Sequence, residues 1–172
     1  KSVVQAAAPH IAEFVGTFVL VFAVGCCWLS PSDPAWSSTA VACVYMVMVY
    51  ATTPVSGGNL NPAVSLALGL VGSLPWTVVL GYWAMQLAGG VVAGMCSCAL
   101  FNPRKVHLQP VAPFAWEFAA GAELLYTCLL CLSVLCCRVP KRNNPPDDAN
   151  QFYGLAIGFA LAAGGYAPGG GA

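Results

Sequence analysis

Long apolar runs, separated by short clusters of proline, glycine, asparagine and charged residues, divide the chain. Five runs, at 9–29, 37–53, 75–100, 113–137 and 151–166, approach or exceed the roughly 17–25 residues that a helix needs to cross a bilayer. The breaks at 30–36, 101–113 and 138–150 carry ordinary turn chemistry, such as "SPSDPAW" and "RVPKRNNPPDDAN". The break between the second and third runs differs. There "PVSGGNLNPAVSLALG", residues 54–69, begins polar and then turns apolar for about ten residues. That apolar piece is too short to span and too apolar to be a solvated loop, so the pattern predicts a re-entrant half-helix.

Composition turns these runs into membrane spans. Only 7% of the 172 residues are charged and 59% are hydrophobic, whereas soluble domains carry about 25% charge. A chain with so little charge cannot cover a water-facing surface, so we expect an all-α integral membrane protein. Zero net charge and the lack of a long basic stretch exclude nucleic acid as a partner. The nine cysteines lie in or beside the apolar runs, where cysteine packs as a small soft hydrophobe. Cys128 and Cys131 are one turn apart, but no second pair with histidine completes a metal set, so no metal or cofactor is expected.

With five crossings and a half-helix that does not cross, Lys1, Arg138, Lys141 and Arg142 share one side and Arg104 and Lys105 the other. The positive-inside rule then favours a cytoplasmic N-terminus. An internal repeat is also present: "PHIAEF" at 9–14 and "PFAWEF" at 113–118 place Glu13 and Glu117 equivalently inside apolar helices. The chain therefore reads as one channel-like domain, 1–172, with a first repeat at about 9–100 and a second, incomplete one at about 113–172. Lys1 in place of an initiating methionine suggests a missing N-terminal part. The closing "GGYAPGGGA" mirrors "TPVSGGNLNPA" at 53–63 but stops before a second asparagine.

Within the unusual break, Asn61-Pro62-Ala63 reads as a helix start. Asparagine is a good N-cap, and proline at the first helical position loses an N–H that has no partner anyway. The positive end of a helix dipole would then lie at membrane depth, which is tolerable where it lines water or is buried in protein. In a pore the Asn61 amide can donate to a passing oxygen, while carbonyls of Gly57, Gly58, Asn59 and Leu60 accept. The same dipole repels cations. As a tripeptide the motif is weak, since Asn102-Pro103 recurs in an ordinary loop; the surrounding half-span and the repeated Glu-Phe spans make it specific.

Ser56–Val64 as a whole resembles the first pore loop of the aquaporin, or major intrinsic protein, family. Ala12-Glu13-Phe14-Val15-Gly16-Thr17 is similar to its first-span motif and Gly154-Leu155-Ala156-Ile157-Gly158 to its fifth span. The resemblance implies a right-handed bundle of six tilted helices with two half-helices, of which five spans and one half-helix would be present here. It also implies tetramers with one pore per subunit, and passive movement of water, glycerol or another small neutral solute. By position in the motif, Asn61 is the first of two central asparagines. Val41 and Gly165 fall on two places of the family's aromatic/arginine constriction; where water channels carry a bulky aromatic and a histidine, valine and glycine imply a wider, less polar opening. The remaining constriction residues, the second asparagine and the sixth span would lie beyond Ala172. Asn59 stands where the family often has histidine.

Glu13 and Glu117 are intramembrane carboxyl groups and so functional candidates, for instance as proton relays. The alternative, as the family uses them, is a buried acceptor for N–H groups of the pore loops. That reading is favoured because no lysine or arginine lies within a predicted span. Glu123 is read as a polar contact between helices or subunits. Gly90/Gly94 and Gly154/Gly158 have the spacing of close helix contacts. Trp28, Trp36, Trp76 and Trp116 sit near span ends as interfacial anchors, Trp83 lies further in, and His10 and His107 read as interfacial or solvated. No nucleophile triad, metal cluster or phosphate loop supports an enzyme. The function expected is a passive channel whose partners are solute, membrane lipid and copies of itself. The alternative is a non-conducting, accessory subunit of a larger membrane assembly.

Overall fold

A computed structural model describes residues 3–30, 34–104, 115–142, 144–145 and 153–166. In chain order these form α1 (Val3–Leu29), α2 (Pro34–Ser56), α3 (Pro62–Leu70), α4 (Trp76–Leu100), α5 (Trp116–Arg138) and α6 (Tyr153–Tyr166). Among the described residues there is no strand. The architecture is thus the all-helical membrane bundle that the apolar runs predict. Four helices, α1, α2, α4 and α5, are long and apolar enough to cross a membrane, and α6 is a shorter apolar helix of 14 residues.

Element bounds depart from the sequence expectation in two places. Helix α1 starts at Val3 and carries Pro9 in its interior, so the proline does not mark the beginning of the span. Similarly, Pro54 lies inside α2, and the loop expected from residue 54 begins only at Gly57. A proline removes a single intrahelical bond, and near the end of α2 the hydroxyls of Thr52 and Thr53 bond back to the carbonyls of Met48 and Val49. The helix ends where Gly57 and Gly58 take positive φ, 92° and 59°, a conformation that glycine adopts without a Cβ clash.

Helix directions follow from side-chain register. Gly81 lies against His10, Gly89 against Phe14 and Gly25 against Ser97, so α1 and α4 run parallel. Gly154 meets Tyr50, Gly158 meets Met46 and Ala42, and Gly165 meets Ser38, so α2 and α6 run antiparallel. Backbones come closest at Gly89, where a Cβ would stand 2.6 Å from the Phe14 carbonyl oxygen. The expected small-residue pair Gly90/Gly94 does not make this contact: a Cβ on Gly90 would meet only Val21, and one on Gly94 nothing within 4 Å. The spacing was right for α6 but one residue off for α4, because helix rotation decides which glycine faces inward.

The short helix α3 packs against α4 and α5. Its Val64 and Leu68 join Leu60, Tyr45, Val49, Leu130, Val134, Ile157 and Ala160 in one buried cluster. Outward-facing Leu80, Leu87, Val91, Met95, Leu124, Leu125 and Phe159 are exposed, as expected where the solvent is lipid. Trp28, Trp36, Trp76 and Trp116, at helix ends, are exposed as well. Lipid is as apolar as this core, so burying leucine contributes little specificity between helices. The discriminating interactions are polar, and they concentrate around the loop between α2 and α3.

Candidate pore site

The loop from Gly57 to Asn61 leaves α2, turns back and starts α3. Asn61 has extended backbone (φ −151°, ψ 129°), and its Oδ1 accepts from the Ala63 N–H at 2.8 Å, with Pro62 at the first helical position. That is the cap the residue types predict. Leu60 has φ 52°, a left-handed conformation that costs a leucine on the order of 1 kcal/mol or more. It persists because the leucine is pinned twice. Its N–H donates to Glu13, and its side chain is buried against Gly16, where a Cβ would stand 2.4 Å from one leucine methyl.

Glu13 is fully buried and is the hub of the site. Its Oε1 accepts from Ser56 Oγ at 2.6 Å and from the Asn59 N–H at 3.0 Å. Its Oε2 accepts from the Leu60 N–H at 2.7 Å and from Gln86 Nε2 at 2.8 Å. A carboxyl group is the side chain that offers two oxygens with several acceptor positions, which explains why an acidic residue sits here at membrane depth. Gln86 also donates to Ser65 Oγ at 3.0 Å, and Asn59 Nδ2 reaches the same oxygen at 3.3 Å. One network therefore ties α1, the loop, α3 and α4 together and satisfies loop N–H groups that could find no water in hydrocarbon.

Three aromatic side chains complete the support. Tyr45 donates to the Asn59 carbonyl at 3.2 Å, Tyr82 to the Ser56 carbonyl at 2.8 Å, and Trp83 Nε1 to the Pro62 carbonyl at 2.9 Å. His10 stands edge-on to Tyr82 with ring centroids 5.5 Å apart. On the far side of the loop, Arg138 at the end of α5 approaches Asn59 Oδ1 at 3.5 Å. Gly58, Asn59 and Leu60 are buried, while Gly57 and Asn61 are half-exposed. Among the described residues, the Asn61 side chain bonds only through Oδ1, which leaves its NH2 group free to donate. A half-helix N-terminus and a free amide donor thus stand together on a rigidly backed loop.

The sequence profile described as Major intrinsic protein matches residues 2–170. The chain belongs to that family. It is 38% identical over 166 residues to aquaporin NIP1-3 of Oryza sativa subsp. japonica, an alignment covering 92% of this chain and 56% of that protein. It is 36% identical over 120 residues to glycerol uptake facilitator protein 3 of Lactiplantibacillus plantarum, covering 64% and 50%. To aquaglyceroporin-2 of Trypanosoma brucei brucei it is 30% identical over 173 residues, covering 87% and 54%. The chain spans about half the length of the curated relatives it matches.

In this major intrinsic protein the remaining candidate residues are more scattered. Gly165 lies on α6 against Ser38, one helical turn before Val41 on α2, and Val41 is half-exposed. Glu117 is exposed in the first turn of α5 and is not among the partners of Glu13, and Glu123 is exposed too. His107 and residues 167–172, including the glycine run, lie outside the described residues. Sequence reasoning missed Gln86, Ser65, Tyr45, Tyr82 and Arg138. A polar side chain within an apolar span was the available signal for Gln86; nothing local marks a tyrosine as a loop support.

Proposed function

We propose that this chain builds a pore wall for passive movement of water and small neutral solutes such as glycerol. The observation that carries the reading is Asn61, whose amide NH2 is free at the N-terminus of a half-helix whose loop is held from behind by Glu13. A solute oxygen can accept from that NH2 while keeping its own hydrogens for carbonyls of the loop. The positive end of the α3 dipole disfavours cations at the same point. No covalent step is needed; selectivity comes from oriented hydrogen-bonding groups. The names of the aquaporin and glycerol facilitator relatives support the same class of solute.

Further parts of the reading follow from the repeat and the resemblance. Glu117 would serve a second loop as Glu13 serves the first. Val41 and Gly165 would form part of a constriction wide enough for glycerol. The subunits would assemble as homotetramers in lipid, with the N-terminus on the cytoplasmic side by the lysine and arginine balance. A swelling assay on the full-length protein in liposomes, under water and glycerol gradients, tests the reading. Both permeabilities should exceed the lipid background, and a protein permeable to neither would sink it.

A further inference from the structure

Arg138 is the only lysine or arginine within the six described helices. Cationic side chains inside membrane helices are costly and usually functional. An arginine in the last turn of a helix ordinarily favours the helix dipole and extends to water, as exposed Lys141 and Arg142 just beyond α5 do. Arg138 instead is half-buried and turned inward. Its Nη2 stands 2.9 Å from where a Cβ on Gly57 would be, and its Nη1 faces the Asn59 side chain. At 3.5 Å the contact with Asn59 Oδ1 is long for a hydrogen bond, so the position of the charge matters more than that bond.

Among the described residues, the acidic group that acts on this charge is Glu13, and it does so from behind the loop. The Glu13 carboxyl is fully buried behind the loop, with both oxygens occupied by four donors. The Asn59 amide is turned so that its oxygen faces the guanidinium and its nitrogen faces Ser65. Asn59 therefore offers no donor on the Arg138 side, and the guanidinium supplies the donors there. Gly57 has no side chain, so nothing stands between the charge and the loop backbone.

We infer that Arg138 is a specificity-determining residue at the α2/α5 mouth of the proposed pore, where its fixed positive charge rejects cations before they reach Asn61. The inference rests on the pore reading above. It predicts a charge preference at a site just past the loop, which a purely structural arginine would not produce. A cysteine at Ala63 reports it, using a cationic trimethylammonium-ethyl and an anionic sulfonatoethyl methanethiosulfonate on the full-length protein in liposomes. Rates are normalised to a small thiol in solution and corrected for the unsubstituted chain, whose native cysteines give the background.

The anionic reagent should be favoured in the Ala63→Cys parent, and the preference should fall about fivefold or more when Arg138→Gln is added, as expected for losing a nearby unit charge. Arg138→Lys should keep the preference. Raising the salt should weaken the preference in the parent alone, a measurement that needs no arginine variant to fold. Equal preference in the parent and Arg138→Gln, or a preference indifferent to salt, overturns the inference and leaves the pore reading standing. Failure of both reagents to reach the cysteine in the parent overturns both.

Discussion

Glu13 concentrates the chemistry of the site in one side chain. It presents two acceptor oxygens to four donors, two of them backbone N–H groups of the loop. Glutamine at this position keeps one acceptor and turns an NH2 toward donors, leaving at least one buried group without a partner at about 1–3 kcal/mol. Alanine abandons all four. Thermal unfolding in detergent should therefore rank parent above Glu13→Gln above Glu13→Ala, and equal midpoints for parent and Glu13→Ala would refute the support role. The acidic residue, the asparagine cap and Pro62 were all legible in the sequence, because each acts through local chemistry or an unmistakable cost in lipid. Tyr45, Tyr82 and Arg138 were not. Their roles depend on which loop atom each meets across the bundle, and single-chain spacing does not encode that.

At the scale of elements, the register of α1 on α4 positions Glu13 opposite Gln86. That register rests on Gly89, where the approach is to the Phe14 backbone rather than to a flexible side chain. Backbone cannot swing aside, so Gly89→Val should push the helices apart and cost about 1–3 kcal/mol as an overpacked contact. Gly94→Val, at a site with open space, should cost far less. Unfolding midpoints of the two variants, compared side by side, check this; similar losses would mean that the crossing lies elsewhere. The spans themselves were readable from apolar run length. Their ends were less so: Pro9 and Pro54 look like breaks in the sequence yet lie inside helices, because one lost hydrogen bond does not outweigh the cost of exposing backbone to lipid.

At the scale of the whole bundle, the described residues form six helices, and the short α3, packed on α4 and α5, has its N-terminus held at the loop by a shared polar network. Core packing in lipid does not by itself choose this arrangement; the Glu13–Gln86–Ser65 connections do, and they deliver the Asn61 amide as the free donor. The central claim is that this amide works in a path for neutral solutes. Stopped-flow light scattering on liposomes holding the full-length protein, parent beside Asn61→Ala, tests it most directly. Loss of the cap costs only about 1 kcal/mol, so the variant should fold. The account predicts water and glycerol permeabilities well above lipid background in the parent and at least severalfold lower in Asn61→Ala. Permeabilities that are unchanged by removing the amide, in a variant that incorporates equally, would contradict it.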